Sequence, residues 1–274
     1  LTTNRCYRYT LTGTDNVGNT TTIVRTVKYE TTNPTQSLSL ASATNAVLSG
    51  STLYYRSDLV GSFTFNNAVT DSFSGADSTN FPAIGTTGWT HANETVTSGS
   101  VSGSTTTYTS SAFSWTAGAS NPSSKTITGY DLAGNTVTTS VSFSSDTAGP
   151  ASSGALTVNG TSGTSGGSTS ATKGSFTGSV TNFTDSGVGI DTNVITREVA
   201  PVSGSSCGTF AAPTTIGSIS ETSPAAGCYR YTLTGTDLLG NSSSLTTTVQ
   251  VDLTAPTQVV SVGSGNAYRS GSTM

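Results

Sequence analysis

Apolar and polar side chains alternate along residues 229–234, where tyrosines and a leucine are separated by an arginine and threonines. This two-residue period predicts a β-strand with one buried face and one face in water. The segment Asp237-Leu-Leu-Gly-Asn241 then supplies turn residues, and the two-residue period resumes over residues 245–251. The pattern predicts a β-hairpin that ends just before Asp252.

The same hairpin sequence occurs twice in the chain. Residues Cys6–Asp15 recur letter for letter as Cys228–Asp237, and the same spacing carries Pro34 onto Pro256. A weaker third copy, Ile127-Thr-Gly-Tyr-Asp-Leu-Ala-Gly-Asn135, lies between them. The chain is therefore a series of two related modules that alternate.

The length of the repeat indicates the kind of module. Modules of about 110 residues with short strands and turns rich in Gly, Ser and Asn are typical of immunoglobulin-like β-sandwiches. We expect an all-β fold of tandem immunoglobulin-like domains in an extended array. The expected domains are a cysteine-free one at 36–148 and a disulfide-containing one at 151–254. We expect residues 1–33 to be the C-terminal part of a truncated domain and residues 257–274 the N-terminal part of the next. The connecting segments contain Pro34, Pro150 and Pro256, and proline stiffens a short linker.

Composition and charge exclude several classes of protein. Only 9% of residues are charged and the net charge is −4, with 8% aromatic residues, which does not fit a disordered chain. Lysine and arginine number 10 and are scattered, whereas nucleic-acid binding requires clustered cations. No apolar run is long enough to span a membrane.

The three cysteines are explained by the repeat. Cys207 and Cys228 lie in one module, and a disulfide between them would close a loop of about 20 residues. Cys6 is equivalent to Cys228, so we expect its partner upstream of this sequence. A free thiol or a metal ligand are the competing interpretations, but one histidine and no second cysteine cluster disfavour a metal. A disulfide implies an oxidising, extracytoplasmic location.

The chain offers few residues that could carry out catalysis. His91 is the sole histidine and is expected to be a structural residue, which disfavours a nucleophilic triad. Asp71 with Asp77, or Asp185 with Asp191, could be proposed as glycosidase pairs. The two segments occupy corresponding places in successive modules, however, and this recurrence favours a repeated turn or ion site over an active site. We expect no enzyme.

Calcium is the ligand to weigh, because each module junction gathers oxygen-bearing side chains. The three sets are Asp15, Asn19 and Glu30; Asp131, Asn135 and Asp146; and Asp237, Asn241 and Asp252. Calcium takes six to eight oxygens, including carbonyls and waters, so two or three such side chains could suffice. The alternative is that these residues only satisfy hydrogen bonds in turns.

Aromatic side chains offer a second binding hypothesis. Five of them belong to the cysteine-free module and could stack on sugars: Tyr54, Tyr55, Trp89, Tyr108 and Trp115. Core packing is the expected role for most of them, because sandwiches bury a few large rings.

The blocks Cys228–Asn241 and Val251-Asp-Leu-Thr-Ala-Pro256 resemble the closing strands and linker of tandem bacterial Ig-like domains in large surface proteins and adhesins. The resemblance implies an extracellular stalk, adhesive array or filament component without catalysis, and in some members calcium between domains. Expected partners are neighbouring Ig-like domains of the chain, further copies in a homopolymer, or a host or cell-surface glycan or protein. The alternative function is a glycan- or protein-binding Ig-like module of a secreted protein.

Overall fold

The computed structural model describes residues 1–151 and 153–260, and every regular element in this part of the chain is a β-strand. The expectation of an all-β fold is confirmed. Of the domain fragment expected at 257–274, residues 261–274 lie outside the described part of the chain. The immunoglobulin-like arrangement and the module boundaries stay predictions.

The chain divides into two compact units. The first unit contains Leu1–Ser153, Phe183–Asn193 and Gly235–Ser243. The second contains Gly154–Asn182, Val194–Thr234 and the described residues from Ser244 onward. Two short segments from the later part of the sequence therefore belong to the first unit.

The first unit contains two large sheets and a separate hairpin. Its strands are β1 (Arg5–Thr14), β2 (Thr20–Tyr29), β3 (Thr35–Thr44), β4 (Ala46–Ser49), β5 (Thr52–Tyr55), β6 (Gly61–Thr70), β7 (Ala76–Phe81), β8 (Trp89–Thr90), β9 (Glu94–Val96), β10 (Ser100–Ser102), β11 (Thr105–Thr109), β12 (Phe113–Trp115), β13 (Lys125–Asp131) and β14 (Thr136–Ser145). One sheet has the order β10-β11-β6-β12-β8, with β3 also paired to β6, and the other has the order β4-β5-β14-β13-β7-β9.

The β1–β2 hairpin is antiparallel over its whole length, from the Arg5–Tyr29 pair to the Thr14–Thr20 pair. It forms a two-stranded sheet of its own. Its turn, which contains Asp15, lies at one end, and Glu30 follows β2 at the other end.

The core of the first unit is rich in aromatic rings. Strand β6 alternates buried and half-buried residues along its full length, which places Phe63 and Phe65 on the inner face. Phe63 stacks on Phe113 with ring centroids 5.0 Å apart, and Tyr55 makes edge contacts with Trp89 and Trp115. Such pairs add specific geometry to the burial of large apolar surfaces.

The second unit is built from shorter strands and the last hairpin. Its strands, three of which have ends assigned to the first unit, are β15 (Ala155–Val158), β16 (Thr161–Ser162), β17 (Thr169–Thr172), β18 (Phe176–Thr181), β19 (Ile190–Ala200), β20 (Val202–Ser203), β21 (Ser206–Cys207), β22 (Thr214–Thr215), β23 (Ser220–Glu221), β24 (Gly227–Asp237) and β25 (Ser242–Val251). The sheets have the orders β16-β15-β18-β23, β17-β25-β24-β19-β22 and β20-β21.

The hairpin predicted from residues 229–251 is formed by β24 and β25. Tyr231, Leu233 and Val249 are fully buried, as the two-residue period requires. Cys207 and Cys228 form a disulfide, in agreement with the pairing expected from the repeat. Cys6 is a free, exposed thiol.

The three linker prolines all lie outside strands. Pro34 is buried between β2 and β3, Pro150 is buried between β14 and β15, and Pro256 is exposed after β25. Proline has no amide hydrogen to donate to a sheet, which suits positions that follow a strand end. Their role as linkers between domains stays a prediction.

Candidate metal centres

The turn after β13 is organised by one aspartate. The Oδ1 atom of Asp131 accepts hydrogen bonds from the amides of Ala133 at 2.9 Å and Asn135 at 2.8 Å, and Oδ2 accepts one from Asn135 Nδ2 at 2.8 Å. Gly134 has a φ of 88°, a conformation that glycine adopts at little cost. The motif Asp-x-x-Gly-Asn therefore encodes a turn that fixes the aspartate rigidly.

The same turn occurs at the tips of the other two hairpins. Asp15 accepts the corresponding bonds from Val17 and Asn19, and Asp237 accepts them from Leu239 and Asn241. These aspartates thus accept the turn hydrogen bonds that the alternative hypothesis expects. That this is their only role stays a prediction.

A second aspartate lies in the loop between β6 and β7. The Oδ1 atom of Asp71 accepts hydrogen bonds from the amides of Phe73 at 3.0 Å and Gly75 at 2.7 Å and from the Ser74 hydroxyl at 3.2 Å. The carbonyl oxygen of Gly75 accepts the Leu132 amide at 2.9 Å. That bond ties the loop to the Asp131 turn.

The next repeat contains the same loop. Asp185 Oδ1 accepts the amides of Gly187 at 2.6 Å and Gly189 at 3.4 Å. The Gly189 carbonyl accepts the Leu238 amide at 3.2 Å, next to the turn aspartate Asp237. Loop and turn are therefore joined in the same way in both repeats.

In each repeat, the turn aspartate and the loop aspartate lie beside a third acidic residue, which follows the hairpin of the preceding repeat. Together they form a cluster of three carboxylates. One cluster contains Glu30, Asp71 and Asp131, which are all buried, and the other contains Asp146, Asp185 and the buried Asp237. In each cluster one oxygen from every residue lies within 4.8 Å of the others. All six residues belong to the first unit.

Further contacts hold Glu30 and Asp146, the two acids that follow a hairpin, in place. Glu30 Oε2 accepts the Ser74 amide at 2.9 Å, which links it to the Asp71 loop. The backbone carbonyl of Asp146 accepts Asn241 Nδ2 at 3.4 Å, which links it to the Asp237 turn. Within residues 1–151 and 153–260, none of the six carboxylates forms an ion pair.

Burial, neighbouring charges and hydrogen bonds shift the pKa values of two aspartates in the clusters. Burial raises the pKa of Asp146, and the nearby charges of Asp237 and Asp185 raise it further, against the lowering effect of the Ala148 and Val188 amides. At Asp71, burial alone would raise the pKa, but the hydrogen bonds from Gly75, Phe73 and Ser74 outweigh it and leave the pKa below its usual value. In the Asp146 cluster the carboxylate charges thus repel one another.

The donor sets fit calcium. Calcium lies about 2.3–2.6 Å from its oxygen ligands, so oxygens on opposite sides of one ion are about 5 Å apart. Oxygens within 4.8 Å of one another can therefore all contact a single ion. Three carboxylates leave room for carbonyls and waters to complete six to eight ligands.

The structure groups the predicted residues differently from the sequence. The sequence joined Asp15 to Glu30, Asp131 to Asp146 and Asp237 to Asp252, but in the structure Glu30 lies with Asp131, and Asp146 with Asp237. The reason is the length of a hairpin, because a ten-residue strand spans about 33 Å at about 3.3 Å per residue. A turn acid and the acid that follows its own hairpin lie at opposite ends, so each cluster combines acids from two successive hairpins.

Two of the predicted residues lie outside these clusters. Asp15 is exposed, and the hydrogen bonds from Asn19 keep its pKa below the usual value. Asp252 is exposed, and its Oδ1 accepts the Thr254 amide at 2.8 Å. Neither belongs to a group of three candidate ligands among the described residues.

Asp71 and Asp185 complete the clusters, although the sequence offered only a hint of this. Their corresponding positions in successive modules indicated a repeated turn or ion site. Sequence alone did not show which other acids lie beside them, because that depends on how the loop between β6 and β7 meets the turn after β13.

His91 has a structural place. Its ring stacks on Phe113 with centroids 3.4 Å apart, Nδ1 lies 3.0 Å from the Pro82 carbonyl oxygen, and Nε2 lies 3.3 Å from Glu94 Oε1. The imidazole is buried, with no exposed side-chain surface. These contacts agree with the expectation of a structural histidine.

Most of the aromatic residues considered for sugar stacking are core residues. Tyr55, Trp89, Tyr108 and Trp115 are all buried, and only Tyr54 is half-exposed. Sugar stacking requires an exposed ring face, so this set provides no stacking platform.

No protein-family model matches the chain, and no curated protein matches it. Among solved structures, a 1.5-MDa bacterial ice-binding adhesin matches with a TM-score of 0.34 and 16% identity over 91% of this chain and 76% of that one.

Two further structures match at a similar level. A Ca²⁺-stabilised adhesin with which an Antarctic bacterium binds ice has a TM-score of 0.31 and 17% identity, over 90% of this chain and 57% of that one. Dimeric latent PorU from Porphyromonas gingivalis has a TM-score of 0.23 and 12% identity, over 89% of this chain and 24% of that one. This chain thus spans little more than half of the second protein and about a quarter of the third. TM-scores of this size do not establish a shared fold.

Proposed function

We propose that this chain is a non-catalytic repeat region of an extracellular bacterial surface protein, which forms part of an elongated stalk or filament and is stabilised by calcium. The observation that carries the proposal is the recurrence of one three-carboxylate cluster in two successive repeats. An active site would not need to recur, whereas a structural ion site is expected in every repeat of an array.

The chemistry of calcium explains the arrangement of the acids. Glu30, Asp71 and Asp131 would hold one ion, and Asp146, Asp185 and Asp237 would hold another. When bound, calcium supplies positive charge and bridges carboxylates from three separate segments. The turn and loop hydrogen bonds keep the aspartates in place before binding, which lowers the entropy that binding must overcome.

The disulfide supports the extracellular location. The Cys207–Cys228 disulfide is stable in oxidising compartments. None of the described residues forms a helix long and apolar enough to span a membrane. The proposed partners are neighbouring Ig-like domains, further copies of the chain, or a surface glycan or protein.

Isothermal titration of the EDTA-treated chain with calcium tests the proposal. Two ions per chain should bind, and the melting temperature should rise with calcium concentration. A saturated site at a hundred times its dissociation constant stabilises the folded state by about 2.7 kcal/mol. Absence of bound calcium at millimolar concentration, together with identical melting in calcium and EDTA, would refute the calcium sites.

Magnesium is the matched control for the titration. It requires near-ideal octahedral geometry and gives up its waters reluctantly, so equal concentrations should shift the melting temperature less than calcium does. Equal shifts with both ions would indicate general screening of negative charge instead of a built site.

A further inference from the structure

The β1–β2 hairpin has an apolar face that the described residues leave uncovered. Tyr9, Leu11, Ile23 and Val27 are between 50% and 70% exposed. Tyr9 is paired with Arg25 and Leu11 with Ile23, and residues two apart share a face of a strand, so these side chains form one continuous surface. We call it the Tyr9 face. Large exposed apolar patches are where proteins bind partners, so this face is a candidate interaction surface.

The same sequence is fully covered elsewhere in the chain. Residues Cys6–Asp15 and Cys228–Asp237 are identical, so Tyr231 and Leu233 correspond to Tyr9 and Leu11. In β24 these two side chains are 0% and 1% exposed. Because the strands are identical, the difference comes from what packs against each of them.

The cover of β24 defines the chemistry that this strand accepts. The Phe176 ring makes edge contacts with Tyr229 and Tyr231, at centroid distances of 5.9 Å and 6.2 Å. The Tyr231 hydroxyl donates to Glu221 Oε1 at 2.8 Å. Burial and the Glu221 carboxylate raise the pKa of Tyr231, so the hydroxyl stays a donor.

Cys228 and Arg230, on the opposite face of β24, also have partners in the residues that cover the strand. Cys228 is joined to Cys207 by the disulfide, and Arg230 Nε forms an ion pair with Glu198 Oε2 at 2.7 Å. These covering residues all precede the hairpin in sequence. The equivalents Cys6 and Arg8 have no such partners among the described residues, since Cys6 is a free thiol and Arg8 forms no ion pair.

We propose that the Tyr9 face is a docking surface for a β-module of the kind formed by residues 154–226. Such a module supplies a phenylalanine ring, a carboxylate that accepts the Tyr9 hydroxyl, a second carboxylate for Arg8 and a cysteine for Cys6. Docking would complete around β1–β2 the contacts that surround β24.

Arg25 sets the specificity of this surface. It lies on the Tyr9 face at the position equivalent to Thr247, which is 0% exposed in β25. A buried arginine requires an acidic partner. The natural occupant therefore has an acidic residue opposite Arg25. Residues 154–226 need no such residue, because the equivalent position that they cover is Thr247.

The test uses the full chain, with its Cys207–Cys228 bond intact, and a polypeptide of residues 154–226 as the probe. In glutathione redox buffer, the probe should form a disulfide between its Cys207 and Cys6 of the full chain, detected by mass spectrometry. Hydrogen exchange should slow over residues 5–29. Absence of both signals overturns the proposal.

Matched variants of the full chain separate docking from random thiol oxidation. Leu11→Lys should lower the yield of the disulfide about tenfold, equivalent to about 1.4 kcal/mol. Thr22→Lys should leave it unchanged, because Thr22 points away from the Tyr9 face, pairs with Thr12 far from Cys6, and is equivalent to Ser244, which is exposed in β25. Arg25→Thr should raise the yield, because it makes the face match the one that residues 154–226 cover.

Three results would contradict the proposal. Equal disulfide yields from the parent chain and Leu11→Lys would mean that Cys6 reacts without docking. Protection of residues 228–251 instead of 5–29 would mean that the probe exchanges with the last hairpin. A dimer of the full chain alone, lost in Leu11→Lys by light scattering, would identify a second copy as the occupant.

Discussion

Glu30 and Asp131 belong to different β-hairpins, yet their carboxylate oxygens lie within 4.8 Å of each other. Asp146 and Asp237 are related in the same way one repeat later. In both cases the acid that follows one hairpin meets the acid at the tip of the next. This relationship makes each cluster sensitive to the order of the repeats along the chain.

Asp131→Asn should reduce the calcium-dependent rise in melting temperature by about half. One of two sites is lost, and each contributes about 2.7 kcal/mol at a calcium concentration one hundred times its dissociation constant. Asparagine keeps a side-chain oxygen for the turn amides but removes the negative charge. Differential scanning calorimetry in calcium and in EDTA measures the change.

Asp15→Asn is the matched control for that substitution. Asp15 makes the same turn hydrogen bonds but belongs to no cluster among the described residues, so its calcium-dependent shift should stay at the parent value. If Asp15→Asn and Asp131→Asn lose the same calcium response, the clusters are not the binding sites.

Asp146→Asn should stabilise the cation-free protein at pH 7 and weaken its response to calcium. Burial, followed by the charges of Asp237 and Asp185, raises the pKa of Asp146 in the folded state. The folded state therefore holds more protons between the unfolded and folded pKa values, and stability falls as pH rises through that window. In EDTA at neutral pH the variant should melt about 1–3 °C higher.

The pH profile separates this effect from a general gain in stability. Below the unfolded pKa, Asp146 is protonated in both states, so the difference between variant and parent should close on acidification. Asp71 works in the opposite direction, because its lowered pKa contributes stability that is lost as pH falls. A constant difference between variant and parent across pH would contradict the role given to Asp146.

The sequence predicted local structure well and spatial neighbours poorly. The alternation around Tyr231 and Leu233 and the Asp-x-x-Gly-Asn motif depend on a few adjacent residues, so the last hairpin and its turn could be predicted. The proximity of Glu30 to Asp131 depends on strand length and on how one hairpin is placed after another. Asp71 could be recognised as a repeated residue, but its neighbours could not be read from spacing.

Loss of the Cys207–Cys228 disulfide should destabilise the second unit by about 3 kcal/mol, the value expected for a loop of this size in the chain-entropy model. The bonded residues are 21 apart in sequence. Cys228→Ser should lower the midpoint of urea unfolding followed by far-ultraviolet circular dichroism. Cys6→Ser removes only an exposed free thiol and should leave the midpoint unchanged; an equal loss in both variants would contradict a stabilising bond.

Gly61→Ala should destabilise the first unit by about 1–3 kcal/mol, the usual cost of overpacking a core. A methyl group at Gly61 would overlap the ring of Trp115, whose Nε1 is fixed by a hydrogen bond to the Arg56 carbonyl at 2.9 Å. The chain has 2 tryptophans, Trp89 and Trp115, both in the first unit, so tryptophan fluorescence during urea unfolding reports this unit alone. Gly13→Ala, also in a strand but with open space around the added methyl, should change the midpoint little. An unchanged midpoint in Gly61→Ala would show that the Trp115 ring does not pack on β6 as the structure describes.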